Sequence, residues 1–152
     1  MNLRLEPITK ENRDACIAIC STKEQDDKKL TLPVAESLRL AYEMPSIARP
    51  FAISDGDRIV GFTMFAFDEE YEKAEDRYWL WQLKIDKKYQ GKGYAQAILP
   101  SITQYFKEHG VGEITLSTKP DNDNALHIYR KYGFKENGEM NEEEIVLKLK
   151  LE

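Results

Sequence analysis

The stretch Trp79-Leu80-Trp81-Gln82-Leu83-Lys84-Ile85-Asp86-Lys87-Lys88-Tyr89-Gln90-Gly91-Lys92-Gly93-Tyr94-Ala95 carries a strand-like apolar run into a double-glycine turn and then straight into a helical pattern. Two glycines let the backbone turn sharply and approach a ligand with no Cβ in the way, so that successive amide N–H groups can point outward together. The helix that follows adds unpaired amides and the positive end of its dipole. Lys92 sets a mobile positive charge beside the turn. Such a junction suits a phosphate, although a glycine turn alone also serves as a plain tight connection. A P-loop would need Gly-Lys-Ser/Thr, which is absent, and a dinucleotide fingerprint would need a third glycine where Gln96 stands.

The length of 152 residues fits one compact domain, 1–152. No stretch approaches the roughly 20 apolar residues of a membrane helix, and Met1-Asn2-Leu3-Arg4-Leu5-Glu6 lacks the apolar run of a signal peptide. The reading is a soluble, cytoplasmic protein. Cys16 and Cys20, four apart on a predicted helix, suit packing in a reducing compartment, and His109 and His127 form no cluster for a zinc site. A net charge of −5 argues against an electrostatic nucleic-acid binder and accommodates a cationic partner. Acidic residues crowd Asp68 to Asp76 and recur at Glu139 and Glu142-Glu143-Glu144, a pattern that solubility alone also produces.

Along the chain, strands and helices alternate. Asn2 to Glu6 reads as a strand, and Thr9 as the cap of a helix through about Ser21 with Ala15, Cys16 and Ile19 inward. The polar segment Thr22 to Lys29 breaks that pattern. A second helix from about Pro33 to Glu43 carries Val34, Leu38, Ala41 and Tyr42 at helical spacing, with Pro45 and Pro50 ending it. Phe51 to Ser54 and Arg58 to Phe67 flank Asp55-Gly56-Asp57 as a hairpin. After the Tyr78 to Asp86 strand and the glycine turn, an apolar stripe from Tyr94 to His109 contains Pro100, which bends or shortens the helix. A strand at Glu113 to Thr118, a helix from about Asn122 to Tyr132 closed by Gly133, and strands at Phe134 to Met140 and Glu144 to Leu151 complete the chain. In the last strand Ile145, Leu147, Leu149 and Leu151 mark the buried face.

This order resembles the GNAT superfamily of acetyl-CoA-dependent N-acetyltransferases over nearly the whole chain. Its carriers are Leu83 and Ile85, then Gln90-Gly91-Lys92-Gly93-Tyr94-Ala95 against the family's Q/R-x-x-G-x-G/A pattern, then Asn122 to Phe134 against N-x-x-A-x-x-[LI]-Y-x-x-x-G-F. The resemblance implies an α+β fold: a central mixed, mostly antiparallel sheet of about seven strands flanked by about four helices. It implies acetyl-CoA as cosubstrate and no metal. It assigns the CoA pyrophosphate to the amides of Gln90, Gly91, Lys92, Gly93, Tyr94 and Ala95, and the pantetheine arm to the main chain at Leu83 and Ile85. Asn122 matches an asparagine near that arm, and also suits a helix cap. Family members often pair, so a homodimer is compatible, but nothing in the sequence selects an interface.

Tyr129 is the candidate acid, because a phenol of ordinary pKa about 10 can donate to a leaving thiolate; packing is the competing role. The base is open. Many family members carry a glutamate where Trp79 stands here, and Trp79 and Trp81 cannot act as a base; Glu69 and Glu70, at the end of the third strand, are the candidates to act through water, although adjacent acidic residues also commonly face solvent. Within the family, the turn and aromatic signatures are most similar to bacterial spermine/spermidine acetyltransferases. A polyamine would pair its ammonium groups with carboxylates and lay its methylenes on Tyr71, Trp79 or Trp81. Another small amine, a protein amine, or a non-catalytic acyl-CoA sensor are the alternatives.

Overall fold

The computed structural model describes residues 1–152, and its framework is a seven-stranded sheet. The strands are β1 (Leu3–Pro7), β2 (Ala48–Asp55), β3 (Arg58–Phe67), β4 (Tyr78–Ile85), β5 (Glu113–Thr118), β6 (Lys135–Asn141) and β7 (Glu144–Lys150), in spatial order β1-β2-β3-β4-β5-β7-β6. Every neighbouring pair is antiparallel except β4 with β5, so the sheet is mixed and mostly antiparallel. The helices are α1 (Arg13–Ile17), α2 (Lys23–Asp27), α3 (Val34–Glu43), α4 (Tyr94–Glu108) and α5 (Asp123–Tyr132). None is long and apolar enough to cross a membrane.

The α4 and α5 face buries the larger core, 18 residues in which Ile98, Leu99, Ile102 and Phe106 of α4 meet Phe65, Phe67 and Ile114 of the sheet. The opposite face buries seven residues, Cys16, Ile19 and Val34 among them, under α1 and α3. Burial of each large apolar side chain contributes roughly 1.5–3 kcal/mol, so α4 is the main clamp on the sheet. It runs unbroken through Pro100, which therefore does not shorten it.

Several local expectations are corrected. Thr9 does not cap α1: its hydroxyl and amide exchange bonds with Asn12, the N-cap residue, and the helix closes at Ile17. Ala15 consequently faces solvent while Cys16 and Ile19 are buried. Thr22 to Lys29 contains α2, started by a reciprocal capping box between Thr22 and Gln25. On α3, Ser37 is buried and Tyr42 is 87% exposed. Pro50 lies inside β2 opposite Met64, in the part of the strand that runs past the last β1 pairing, Pro7 with Phe51.

Two features shape the middle of the sheet. Trp81 is the extra residue of a bulge, since Met64 pairs with Gln82 while Phe65 pairs with Leu80. A bulge bends the strand that carries it and increases its twist. The ladder between β4 and β5 consists of the single position Trp79 with Thr115, and from there toward their C-terminal ends the two strands part. Gly61 secures the other edge of β4, because a Cβ there would lie 2.5 Å from the Lys84 carbonyl oxygen and 2.9 Å from the Ile85 side chain. Gly61→Ala is therefore expected to destabilise the fold by about 1–3 kcal/mol, the cost of overpacking against backbone. Urea denaturation would measure it, and an unchanged midpoint would show that β3 and β4 are not held this closely.

Candidate active site

The end of β4 feeds a single 3-10 turn, Lys87–Tyr89, and then the glycine loop. Gly91 and Gly93 adopt φ of 78° and 87°, the left-handed region that favours glycine. The first α4 amide bonded to the protein is that of Ala97, which donates to the Gly93 carbonyl. The backbone amides of Gly91, Lys92, Gly93, Tyr94, Ala95 and Gln96 donate to no protein acceptor, giving six consecutive free donors at a helix N-terminus. The Gln90 amide is used within the chain, donating to Lys87 O at 3.4 Å. Its side chain acts as a brace, with Nε2 donating to Ile85 O at 2.9 Å and to Gln25 Oε1 at 3.1 Å. The Lys92 side chain is exposed and does not line the cavity below.

That cavity holds about 250 Å³ and gathers Leu83, Ile85, Gly91, Gly93, Asn122 and Tyr129. Leu83 and Ile85 pair with β3 on one side, opposite Thr63 and Gly61. Their other backbone edge has no strand beside it, because β5 has already parted from β4, and there the Ile85 carbonyl accepts from Gln90 Nε2. An open strand edge accepts another extended chain bearing amides. The Asn122 side chain caps nothing; its Nδ2 donates to Thr118 Oγ1 at 3.0 Å.

Tyr129 is positioned by the end of α5. Gly133, at φ 123°, closes the helix, and the Gly133 and Phe134 amides both return to the Tyr129 carbonyl. Phe134 then packs edge-on against the Tyr129 ring at 5.6 Å between centroids. The Tyr129 hydroxyl has no protein hydrogen-bond partner, and burial raises its pKa above the ordinary phenol value. It remains a proton donor throughout the neutral range.

A larger cleft of about 960 Å³ opens on the split, walled by Trp79, Trp81 and Gln82 of β4, Ser117 of β5, and Tyr71 and Met140 at the rim. Its carboxylates are Asp26, Asp68, Asp76, Glu139, Glu142 and Glu144, against Lys29 and Lys119. Tyr71, Trp79 and Trp81 thus come together. Glu69 and Glu70 do not join them: both are exposed on the turn after β3, and neither lines this cleft. The Trp79 indole N–H is spent on Asp76 O at 2.8 Å. Glu144, Asp26 and Asp76 are lining groups that the sequence reading did not single out as site residues. For Glu144 the available signal was its place on the β7 face that alternates with the buried leucines, shared with Val146 and Lys148.

Thr31 lines both spaces, and its segment is tied across the split. Lys84 Nζ donates to Leu32 O at 3.1 Å, Lys119 Nζ to Lys28 O at 3.1 Å, and Lys28 Nζ to Asp121 O at 3.4 Å. Burial lowers the Lys84 pKa. Burial, and secondarily Glu6, push the Cys16 thiol up to about 11, so it stays protonated at neutral pH. No three His, Cys, Asp or Glu side chains are grouped to hold a metal ion.

Six free amides above an open strand edge fit a diphosphate followed by an amide-bearing arm, with an acidic cleft beyond the split. Residues 11–134 match the Acetyltransferase (GNAT) family. The chain belongs to that family of N-acetyltransferases, which use acetyl-CoA. It is 29% identical to a probable spermine N(1)-acetyltransferase of Bacillus subtilis subsp. natto, covering 97% of this chain and 99% of that one. It is 28% identical to the spermine/spermidine N(1)-acetyltransferase of Bacillus subtilis strain 168 over the same shares. The fold is that of the PaiA N-acetyltransferase of Thermoplasma acidophilum, solved in complex with coenzyme A, with a TM-score of 0.69, 14% identity and coverage of 99% and 100%.

The start of α4 is anchored by the Tyr94 hydroxyl, which donates to Asp55 Oδ2 at 2.5 Å. This bond first, and the Asn2 amide second, hold the Asp55 carboxyl below its ordinary value. A lowered carboxylate pKa contributes stability that is present above the unfolded value of about 3.9 and lost as pH falls through the folded one. Tyr94→Phe is expected to lose part of this acid-side dependence, read as a flatter change of urea midpoint below about pH 4. An identical pH dependence would show that the pair does not anchor the helix.

Proposed function

We propose that residues 1–152 act as one domain that transfers the acetyl group of acetyl-CoA to a primary amine of a polyamine such as spermidine or spermine, by direct attack. The observation that carries this reading is the split between β4 and β5, with a free-amide cradle and Tyr129 on one side and an acidic, aromatic cleft on the other. Similarity to the two Bacillus enzymes over nearly the whole chain supports the acceptor class.

Acetyl-CoA supplies a thioester carbonyl open to an amine and a sulfur that departs as thiolate. The amides from Gly91 to Gln96 hold the diphosphate, and the main chain at Leu83 and Ile85 receives the arm as an added strand. Asn122, held by Thr118, lines the same cavity. Tyr129 donates its phenolic proton to the departing sulfur. Carboxylates of the cleft pair with the acceptor's ammonium groups, while Trp79, Trp81 and Tyr71 cover its methylenes. Cys16 is buried with its thiol protonated, and Cys20 lines neither the cavity nor the cleft, so a cysteine-borne acetyl group is not part of the proposed path.

Release of CoA thiol across spermidine, spermine, simple diamines, aminoglycosides and a lysine peptide tests the acceptor. Turnover is expected to be fastest with a polyamine. Fastest turnover on the peptide or an aminoglycoside would replace the acceptor, and acetyl-CoA binding without turnover on any amine would replace the enzyme reading with a sensor. Tyr129→Phe is expected to lower kcat by about 100-fold or more with CoA affinity unchanged, the pattern of an interaction made in the transition state. In the parent enzyme, kcat should show no falling limb below about pH 10, because the Tyr129 phenol is raised above its ordinary value.

A further inference from the structure

We infer that Glu144, held by Ser117, is the base that takes the proton from the acceptor ammonium. The β4 wall of the cleft is Trp79, Leu80, Trp81 and Gln82, and the end of β5 offers Ser117, Thr118 and Lys119, so neither strand brings a carboxylate of its own to the split. Glu144 supplies it from β7. Ser117 stands two residues beyond Thr115, the last β5 residue paired with β4, and therefore lies in the opening wedge. Its hydroxyl donates to Glu144 Oε1 at 2.6 Å, which orients the carboxylate and leaves Oε2 for a substrate N–H or one bridging water.

Three of the other cleft carboxylates are paired or lie on the exposed hairpin. Asp76 is paired with Lys148 at 3.2 Å. Glu139 accepts from Asn137 Nδ2 at 2.7 Å on the exposed β6 strand, and Glu142 sits on the exposed hairpin turn. The remaining charged groups facing the cleft are Asp26 and Lys29 from the α2 end, Asp68 from the β3 end and Lys119 from β5. Thr118, which lines the cleft beside Ser117, accepts from Asn122 at the start of α5, the helix that bears Tyr129. Glu144 thus lines the acidic cleft and Tyr129 the cavity under the glycine loop, two spaces that share Thr31.

One ammonium proton passes to Glu144, the freed lone pair forms the C–N bond, and the C–S bond breaks as the sulfur takes the Tyr129 proton. The second N–H proton lost from nitrogen restores Tyr129 through solvent, and the Glu144 proton is released to water. This assignment rests on the amine-acetyl transfer proposed above.

The test is the pH profile of kcat/KM for Glu144→Gln and Ser117→Ala with the best amine, alongside CoA affinity. Glu144→Gln is expected to fall about 100-fold at pH 7, and the deficit should shrink as pH nears the amine's own pKa of about 10, where free amine needs no base. Ser117→Ala should show a smaller deficit with the same convergence, and both variants should keep CoA affinity. A deficit constant across pH, or none, would overturn the role of Glu144 while leaving acetyl transfer intact. Loss of CoA binding in Glu144→Gln would also overturn it, by showing that the carboxylate serves the fold. Failure of the parent enzyme on every amine would instead remove the reading on which the role rests.

Discussion

The ladder between β4 and β5 stops after one position, Trp79 with Thr115, and the arrangement of the site follows from that interruption. Parallel strands joined through a helix normally continue side by side, covered on both faces. Here the Trp81 bulge bends β4 just beyond the last pairing. A strand edge at Leu83 and Ile85 without a neighbouring strand would destabilise a closed sheet, and only the Ile85 carbonyl finds a partner there, in the Gln90 side chain. In this chain that edge borders a ligand cavity instead.

The two sides of the split have opposite electrostatic character. The glycine loop directs six free amides and a helix dipole outward, a site that favours anions without a buried cation. The cleft beyond β4 carries six carboxylates against two lysines and favours cations. The segment from Gln25 to Leu32 is bonded to β4, to the glycine loop and to the link between β5 and α5, so it spans both sides at once. In these ties Lys28, Lys84 and Lys119 donate to backbone carbonyls, while Lys29 and Lys119 are the two lysines that face the acidic cleft.

Legibility in the sequence tracked how local each feature is. Gly91, Gly93, Gly133 and the hairpin at Asp55-Gly56-Asp57 are set by backbone geometry within a few residues, and each stands where the pattern put it. The helix α2 was equally local, and the Thr22-x-x-Gln25 spacing was its signal; the surrounding charge masked it. Tyr42 and Ser37 exchanged roles because helical periodicity defines a stripe, not which edge of the stripe the sheet covers. The acidic cleft was least legible. Glu144 joins it through the register of β7 on β5, and Asp26 through the fold of α2 over the split, so neither is near the glycine loop in sequence. Glu69 and Glu70 were chosen by such nearness and face solvent.

The central claim is that the free amides after β4 and the open β4 edge form one continuous seat for CoA. Backbone amide chemical shifts of the isotopically labelled protein, followed by NMR as CoA is added, test it most directly. The account predicts the largest shifts at Gly91 to Gln96, continuing onto Leu83 and Ile85, with smaller changes in the acidic cleft. Shifts concentrated in the cleft or at the β6 and β7 hairpin, with the glycine loop unmoved, would contradict it.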